Sequence, residues 1–185
     1  MDATSRAQDE WLALRCQAGE PEAFEDLVRI MERPLLYYAA KLLSSEERAV
    51  DVLQDVWIRV FRKIGTLKNP ATLRSWLYHI THGISIDRIR RDVSRTHAEE
   101  THWAQAEETT EAGFDSLDAP AVHQALDQID VRHRDVLVLH FLEDFSLAEI
   151  AAVIGCPEGT VKSRIHYAKK ALKEELLRGG YGSKP

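Results

Sequence analysis

No run of eighteen apolar residues occurs anywhere in the 185-residue chain, and its first residues are polar, without the apolar core of a signal peptide. Membrane insertion is therefore not expected. Cysteine is scarce: Cys16 and Cys156 stand far apart, outside any CxxC spacing and without a histidine at metal-ligand distance. That excludes a disulfide framework and a cysteine-held zinc site, and a reduced, cytoplasmic compartment fits best. His97 and His102 only flank an acidic tract and read as solvated residues, so no metal is expected. Sustained alternation and Asn-Gly hairpin signals are missing, which argues against strands. P-loop, nucleophile-elbow and HExxH patterns are missing too, so neither an enzyme nor a cofactor is expected.

A surplus of basic charge is also lacking. The formal net charge is −6, which by itself argues against a nucleic-acid partner. Its distribution reverses that argument. Residues 96–119 hold seven acids and no Lys or Arg, so the remainder is near neutral and carries basic patches. The same stretch has no clean apolar period and contains Gly113, and it reads as a flexible acidic linker. It would divide an all-α chain into two small helical domains, 1–95 and 120–185. Fully extended, its residues would reach about 80 Å, enough to let both domains touch DNA at separate places. Helical periods predict helices near 8–18, 21–42, 46–64, 71–92, 120–130, 132–143, 146–154 and 157–177.

The densest information lies in Ser146–Leu172, SLAEIAAVIGCPEGTVKSRIHYAKKAL. Ser146 followed by Glu149 is a capping box, and Leu147, Ile150, Ala151 and Ile154 give one buried helical face. Gly155 suits a left-handed helix end, and Pro157 suits the start of the next helix. There Val161, Ile165, Ala168 and Leu172 form an inward stripe. About 100° around, Lys162, His166, Lys169 and Lys173 form a second stripe, widened by Ser163 and Lys170. No acid falls between Thr160 and Lys173, and Arg164 adds another cation. A charged helix face alone is commonly just solvated. Joined to the cap, the turn and the small-residue spacing, it predicts a helix-turn-helix whose second helix lies against DNA.

In the N-terminal half, Glu46–Ile64 has a broad apolar face: Val50, Val52, Leu53, Val56, Trp57, Val60, Phe61 and Ile64. Its other side groups Asp51, Gln54, Asp55, Arg59 and Arg62 around Ile58, a large aliphatic in a mixed-charge field that suggests a protein interface. From Leu73 to Arg95 an inward stripe of Leu73, Trp76, Leu77, Ile80 and Ile84 is accompanied by Arg74, His79, His82, Arg88, Arg90, Arg91 and Arg95. Arginine beside aromatics suits backbone neutralisation and stacking on unpaired bases. Trp76 itself reads as core. The Val136–Leu142 run is apolar nearly all round and reads as a central helix with His140 at its edge.

Four segments in this order resemble the sigma-70 superfamily of RNA polymerase sigma factors, in its extracytoplasmic-function type, over about residues 8–178. GEPEAFEDLVRIMERPLLYYAAKLL is similar to the opening helices of the family's second region. AVDVLQDVWIRVFRKI resembles its polymerase-clamp helix, and LRSWLYHITHGISIDRIRRD its promoter-opening segment. IDVRHRDVLVLHFLEDFSLAEIAAVIGCPEGTVKSRIHYAKKAL resembles the fourth region. The resemblance implies a factor that brings core RNA polymerase to promoters, with the β′ clamp, the β flap and promoter DNA as partners. An anti-sigma protein is a further partner the family allows. Asp51, Gln54, Asp55 and Ile58 would dock on the clamp. Residues 65–72 would capture a flipped base, with Arg74, His79, Gly83, Arg88, Arg91 and Arg95 around the minus-ten DNA. Lys162, Ser163 and His166 would read the minus-thirty-five element, with Arg164, Lys169 and Lys170 on phosphates. The chain departs from the family's habit at His79 and Gly83, where Arg and Asn are common. The competing expectation is a stand-alone helix-turn-helix regulator of duplex DNA.

Overall fold

The computed structural model describes the backbone of residues 3–96 and 119–180, with side chains over 6–92 and 120–180. Most of the acidic linker, and the Arg95 side chain, lie outside the described residues. Among those described, helix is the sole regular structure. The N-terminal unit comprises α1 (Ala3–Gln17), α2 (Pro21–Leu43), α3 (Glu46–Lys63) and α4 (Leu73–Thr96), with two 3-10 turns, Ile64–Thr66 and Pro70–Thr72, between α3 and α4. The C-terminal unit comprises α5 (Ala119–Gln128), α6 (Val131–Leu137), α7 (Leu147–Ile154) and α8 (Glu158–Arg178).

Local chemistry sets the boundaries. Gly19, at φ 82°, turns the chain into α2, which opens on Pro21. Ser45 caps α3 by accepting from the Arg48 amide at 3.3 Å. Glu46 and Glu47 in the first turn of α3, and Arg62 and Lys63 in the last, match the helix dipole. Helices α2, α3 and α4 pack around Leu27, Leu35, Val52, Val56, Val60, Leu73 and Leu77, all almost fully buried. In the C-terminal unit α6 and α8 close on Val136, Val161, Ile165 and Ala168.

Three expectations change. Helix α3 buries Ala49, Val52, Leu53, Val56 and Val60, whereas Val50 and Phe61 are exposed (45% and 67%). Its core stripe is narrower than the apolar composition implies, and Phe61 instead rests edge-on against Phe24, 5.3 Å between ring centres. The 132–143 helix is α-helical only to Leu137; Val138–Leu142 is a π-helical turn that leaves Phe141 and Leu142 exposed. Pro157 caps α8 rather than occupying its first turn.

The two units are not separate bodies. Helix α4 packs against α7, and α2 against α6. At the centre of this contact Tyr38, Tyr78 and Phe145 are essentially solvent-free, with the Tyr78 ring 5.0 Å from Phe145 and 5.1 Å from Tyr38.

Candidate nucleic-acid and polymerase interfaces

The helix-turn-helix forms with the expected cap and turn, but of the expected α7 face only Ile150 is buried; Leu147, Ala151 and Ile154 are half-buried, and Val153 is buried because α4 packs on that side. Ser146 Oγ accepts from the Glu149 amide while the Glu149 carboxylate accepts from the Ser146 amide at 2.9 Å, closing the capping box. Gly155 ends α7 at φ 69°, the left-handed region a Cβ disfavours. On α8, Val161, Ile165, Ala168, Leu172 and Leu176 are buried, so the neighbouring stripe faces out. Lys162, Ser163 and Lys170 are exposed; His166 and Lys169 are half-buried. The Lys169 ammonium lies 5.3 Å from the Phe141 ring centre. Arg164 is set apart from them: its Nε is buried, and its charge reaches His133 on α6, whose imidazole burial already pushes below its usual pKa.

On α3, Asp51, Gln54, Asp55 and Ile58 are all exposed, Ile58 by 51%. The structure joins this face to part of the α4 set. Asp55 and Ile58 line a groove of about 390 Å³ with Arg59, Arg62, Lys63, Arg88 and Arg91; Asp87 is its second carboxylate. Arg88 Nη2 also stands 3.7 Å from Asp51. Five cations against two carboxylates make a basic trough bordered by an aliphatic side chain. Lys63 was not singled out by the sequence pattern, because it falls in the last turn, where basic residues are ordinary caps.

The remaining α4 residues divide differently. Arg74 donates to Glu143 at 3.1 Å and lies 5.5 Å from the Phe145 ring, and His79 Nδ1 meets the Val153 carbonyl at 2.8 Å. Both are thus engaged by the C-terminal unit. Gly83 faces open space. Trp76 is half-buried against the core, as its place in the stripe predicts, and His140 sits at the core edge with Nδ1 3.1 Å from the Phe145 carbonyl.

The 64–72 loop is held by side chains. Gln17 Nε2 donates to the carbonyls of Ile64 (3.1 Å) and Leu67 (2.7 Å). Thr66 and Thr72 hydroxyls donate to Lys63 and Asn69 carbonyls, both at 2.7 Å. Leu67 is buried, while Gly65, Thr66, Lys68, Asn69, Ala71 and Thr72 are exposed. Gln17 escaped sequence reasoning because a lone glutamine on a helix carries no pattern.

A helix-turn-helix with an outward basic stripe, set on a helical unit with its own basic trough, defines a DNA-binding protein. Comparison with known proteins narrows the class. The pattern for Sigma-70 region 2 matches residues 27–95, and that for Sigma-70, region 4 matches 120–172. The RNA polymerase sigma-H factor of Pseudomonas aeruginosa is 31% identical, covering 93% of this chain and 95% of its own. The ECF RNA polymerase sigma factor SigW of Bacillus subtilis is 28% identical, over 85% and 91%. Among solved structures, the sigma factor RpoE in complex with the anti-sigma factor NepR from Bartonella quintana superposes with a TM-score of 0.66 at 25% identity, over 83% and 96%. CnrH in complex with the cytosolic domain of CnrY shares the fold, with a TM-score of 0.65 at 23% identity, over 92% and 97%.

The chain belongs to the sigma-70 family and is an RNA polymerase sigma factor of the ECF type. A transcription initiation factor of this kind replaces the stand-alone regulator as the reading of the helix-turn-helix. Among the described residues no helix is long and apolar enough to cross a membrane.

Proposed function

We propose that three surfaces divide the work of promoter recognition. Asp51, Gln54, Asp55 and Ile58 dock on the β′ clamp of core polymerase, with Ile58 as the desolvated centre of a polar field. Arg88 and Arg91, together with Arg59, Arg62 and Lys63, neutralise DNA backbone around the minus-ten element. Lys162, Ser163 and His166 read base edges of the upstream element in the major groove, and Lys169 and Lys170 hold its phosphates. The 65–72 loop takes a base unstacked from the non-template strand, at a cost of a few kcal/mol that its pocket offsets. Arg164 serves in packing α8 on α6 as much as on DNA.

The basic trough carries this reading. Its five cations stand directly beside the exposed Ile58, which supports the reading that polymerase and DNA are held on adjoining faces of α3 and α4. The RpoE structure that this chain resembles was solved with the anti-sigma factor NepR, and the same class of partner is proposed for this chain.

Separating the surfaces tests the assignment. Ile58→Glu should weaken binding to bacterial core polymerase at least about tenfold, the effect of burying an unpaired charge at an interface centre. Lys162→Ala and His166→Ala should leave core binding intact and reduce selection of the upstream element. Loss of core binding in the α8 variants, or its retention in Ile58→Glu, would overturn the division.

A further inference from the structure

We propose that Phe141 is a positioning residue for the upstream element: its exposed ring holds the Lys169 ammonium in place to meet a DNA phosphate at the edge of α8. This rests on the assignment of Lys169 to phosphates given above. Of the four lysines on α8, Lys162, Lys170 and Lys173 are exposed and Lys169 alone is half-buried. Its ammonium lies 5.3 Å from the centre of the Phe141 ring. A long cationic side chain loses much rotamer freedom when a ligand fixes it, and one that is already held loses less.

The local backbone explains how a phenyl ring comes to stand there. The π-helical turn over Val138–Leu142 takes in one residue more than an α-turn, which displaces the side chains after it by about 100°. Val138 and Leu139 stay buried, while Phe141 is left 51% exposed. Such turns concentrate at functional sites. The ring is also braced from behind. A carbonyl can only accept, so His140 Nδ1 donates to the Phe145 carbonyl at 3.1 Å. The imidazole fixed in this way meets the Phe141 ring edge-on, with ring centres 4.7 Å apart. Phe145 is itself 2% exposed, so the brace ends in the core. The choice of a ring rather than a carboxylate suits the task. A ring face attracts a cation without accepting its N–H groups, so the three donors of Lys169 stay available for phosphate oxygens. A carboxylate would hold the ammonium too, but it would repel the phosphate that the ammonium has to meet.

Fluorescence anisotropy reads the contact, with the full chain bound to bacterial core polymerase and titrated with a labelled duplex from the upstream half of a promoter it transcribes. Lys169→Ala should make the dependence of log Kd on log salt shallower by about 0.9, the share of one phosphate. Phe141→Leu removes no charge and keeps an apolar surface. It should still weaken binding about two- to fivefold near physiological salt, the effect of one exposed cation–π pair, and shift the slope in the same direction. Phe141→Tyr keeps the ring face and should bind as the wild type does. Phe141→Leu made on top of Lys169→Ala should cost nothing further, which separates positioning from a direct apolar contact with the duplex. Because the ring is half exposed, these variants should melt within about 2 °C of the wild type. Unchanged affinity and slope in Phe141→Leu, the same loss in the Lys169→Ala background, or equal weakening by Phe141→Tyr would each overturn the proposal while Lys169→Ala still shows its shallower slope. An unchanged slope in Lys169→Ala would instead remove the phosphate assignment on which the proposal rests.

Discussion

Replacing Arg134 should cost a large part of this chain's stability, and the structure supplies the reason. Arg134 is 5% exposed, and its guanidinium donates four hydrogen bonds. One reaches the Lys41 carbonyl (2.6 Å) and one the Ser44 hydroxyl (2.7 Å) at the end of α2. The other two reach the Asp127 and Ile129 carbonyls (both 3.0 Å) at the end of α5. These are helix C-termini, whose last carbonyls lack intrahelical donors and whose dipoles attract a cation. Burial draws the Arg134 pKa down, yet an arginine stays charged. In Arg134→Met three carbonyls lose their donor at about 1 kcal/mol or more each, and the loss of a buried charged hub totals about 3–5 kcal/mol. Set against the usual stability of about 5–15 kcal/mol, that is a large fraction. Arg134→Lys should recover only part, because an ammonium cannot span four acceptors around a plane. Urea unfolding of the full chain followed by far-UV circular dichroism measures both. A loss below about 1 kcal/mol in Arg134→Met would show that these carbonyls do not depend on the guanidinium.

Gln17→Leu leaves the Ile64 and Leu67 carbonyls without their donor and should cost about 1–2 kcal/mol, seen as faster hydrogen exchange confined to 64–72. Exchange spread evenly over the N-terminal unit would contradict a local role. Gly155→Ala meets no neighbour within 4 Å, so backbone strain alone should destabilise the chain by about 1 kcal/mol; an unchanged unfolding midpoint would show that the turn tolerates a Cβ. Burial, assisted by nearby carboxylates, pushes Tyr37 to about 12 and raises Tyr38 and Tyr78 well above the ordinary phenol value. Phenols whose folded pKa exceeds the ordinary value of 10.0 contribute stability that is complete below pH 10 and is lost as pH rises. The phenols' contribution to the interunit contact should therefore be lost only above pH 10, with these phenols ionising as it opens, and ordinary ionisation of all tyrosines near pH 10 would contradict their burial.

The helix-turn-helix was legible because each of its parts is local. The Ser146 and Glu149 cap, the Gly155 turn and each α8 stripe are read from residues one helical turn or less apart in sequence. The exposed Ile58 face was legible for the same reason. What escaped the sequence depends on distant partners. Val153 is fully buried although it lies off the apolar stripe of α7, because α4 covers that side. Arg134, Asp135 and Glu143 are of residue types that normally face water, and only their long-range partners make them core. Tyr38 and Tyr78 have an apolar body and a polar tip, so their sequence positions do not reveal that their hydroxyls reach carboxylates across the units. The π-helical turn at Val138–Leu142 was hidden by an all-apolar run, in which no periodicity distinguishes one helical pitch from another.

The central claim is that this chain programmes core polymerase for promoters through the surfaces on α3, α4 and α8. Run-off transcription with bacterial core RNA polymerase on a pool of promoter fragments tests it most directly, with the chain present or omitted. New transcripts should appear that require the chain, share two spaced upstream elements at their aligned start sites, and disappear with Ile58→Glu. Tight binding to duplex DNA without any chain-dependent transcript or core binding would contradict it.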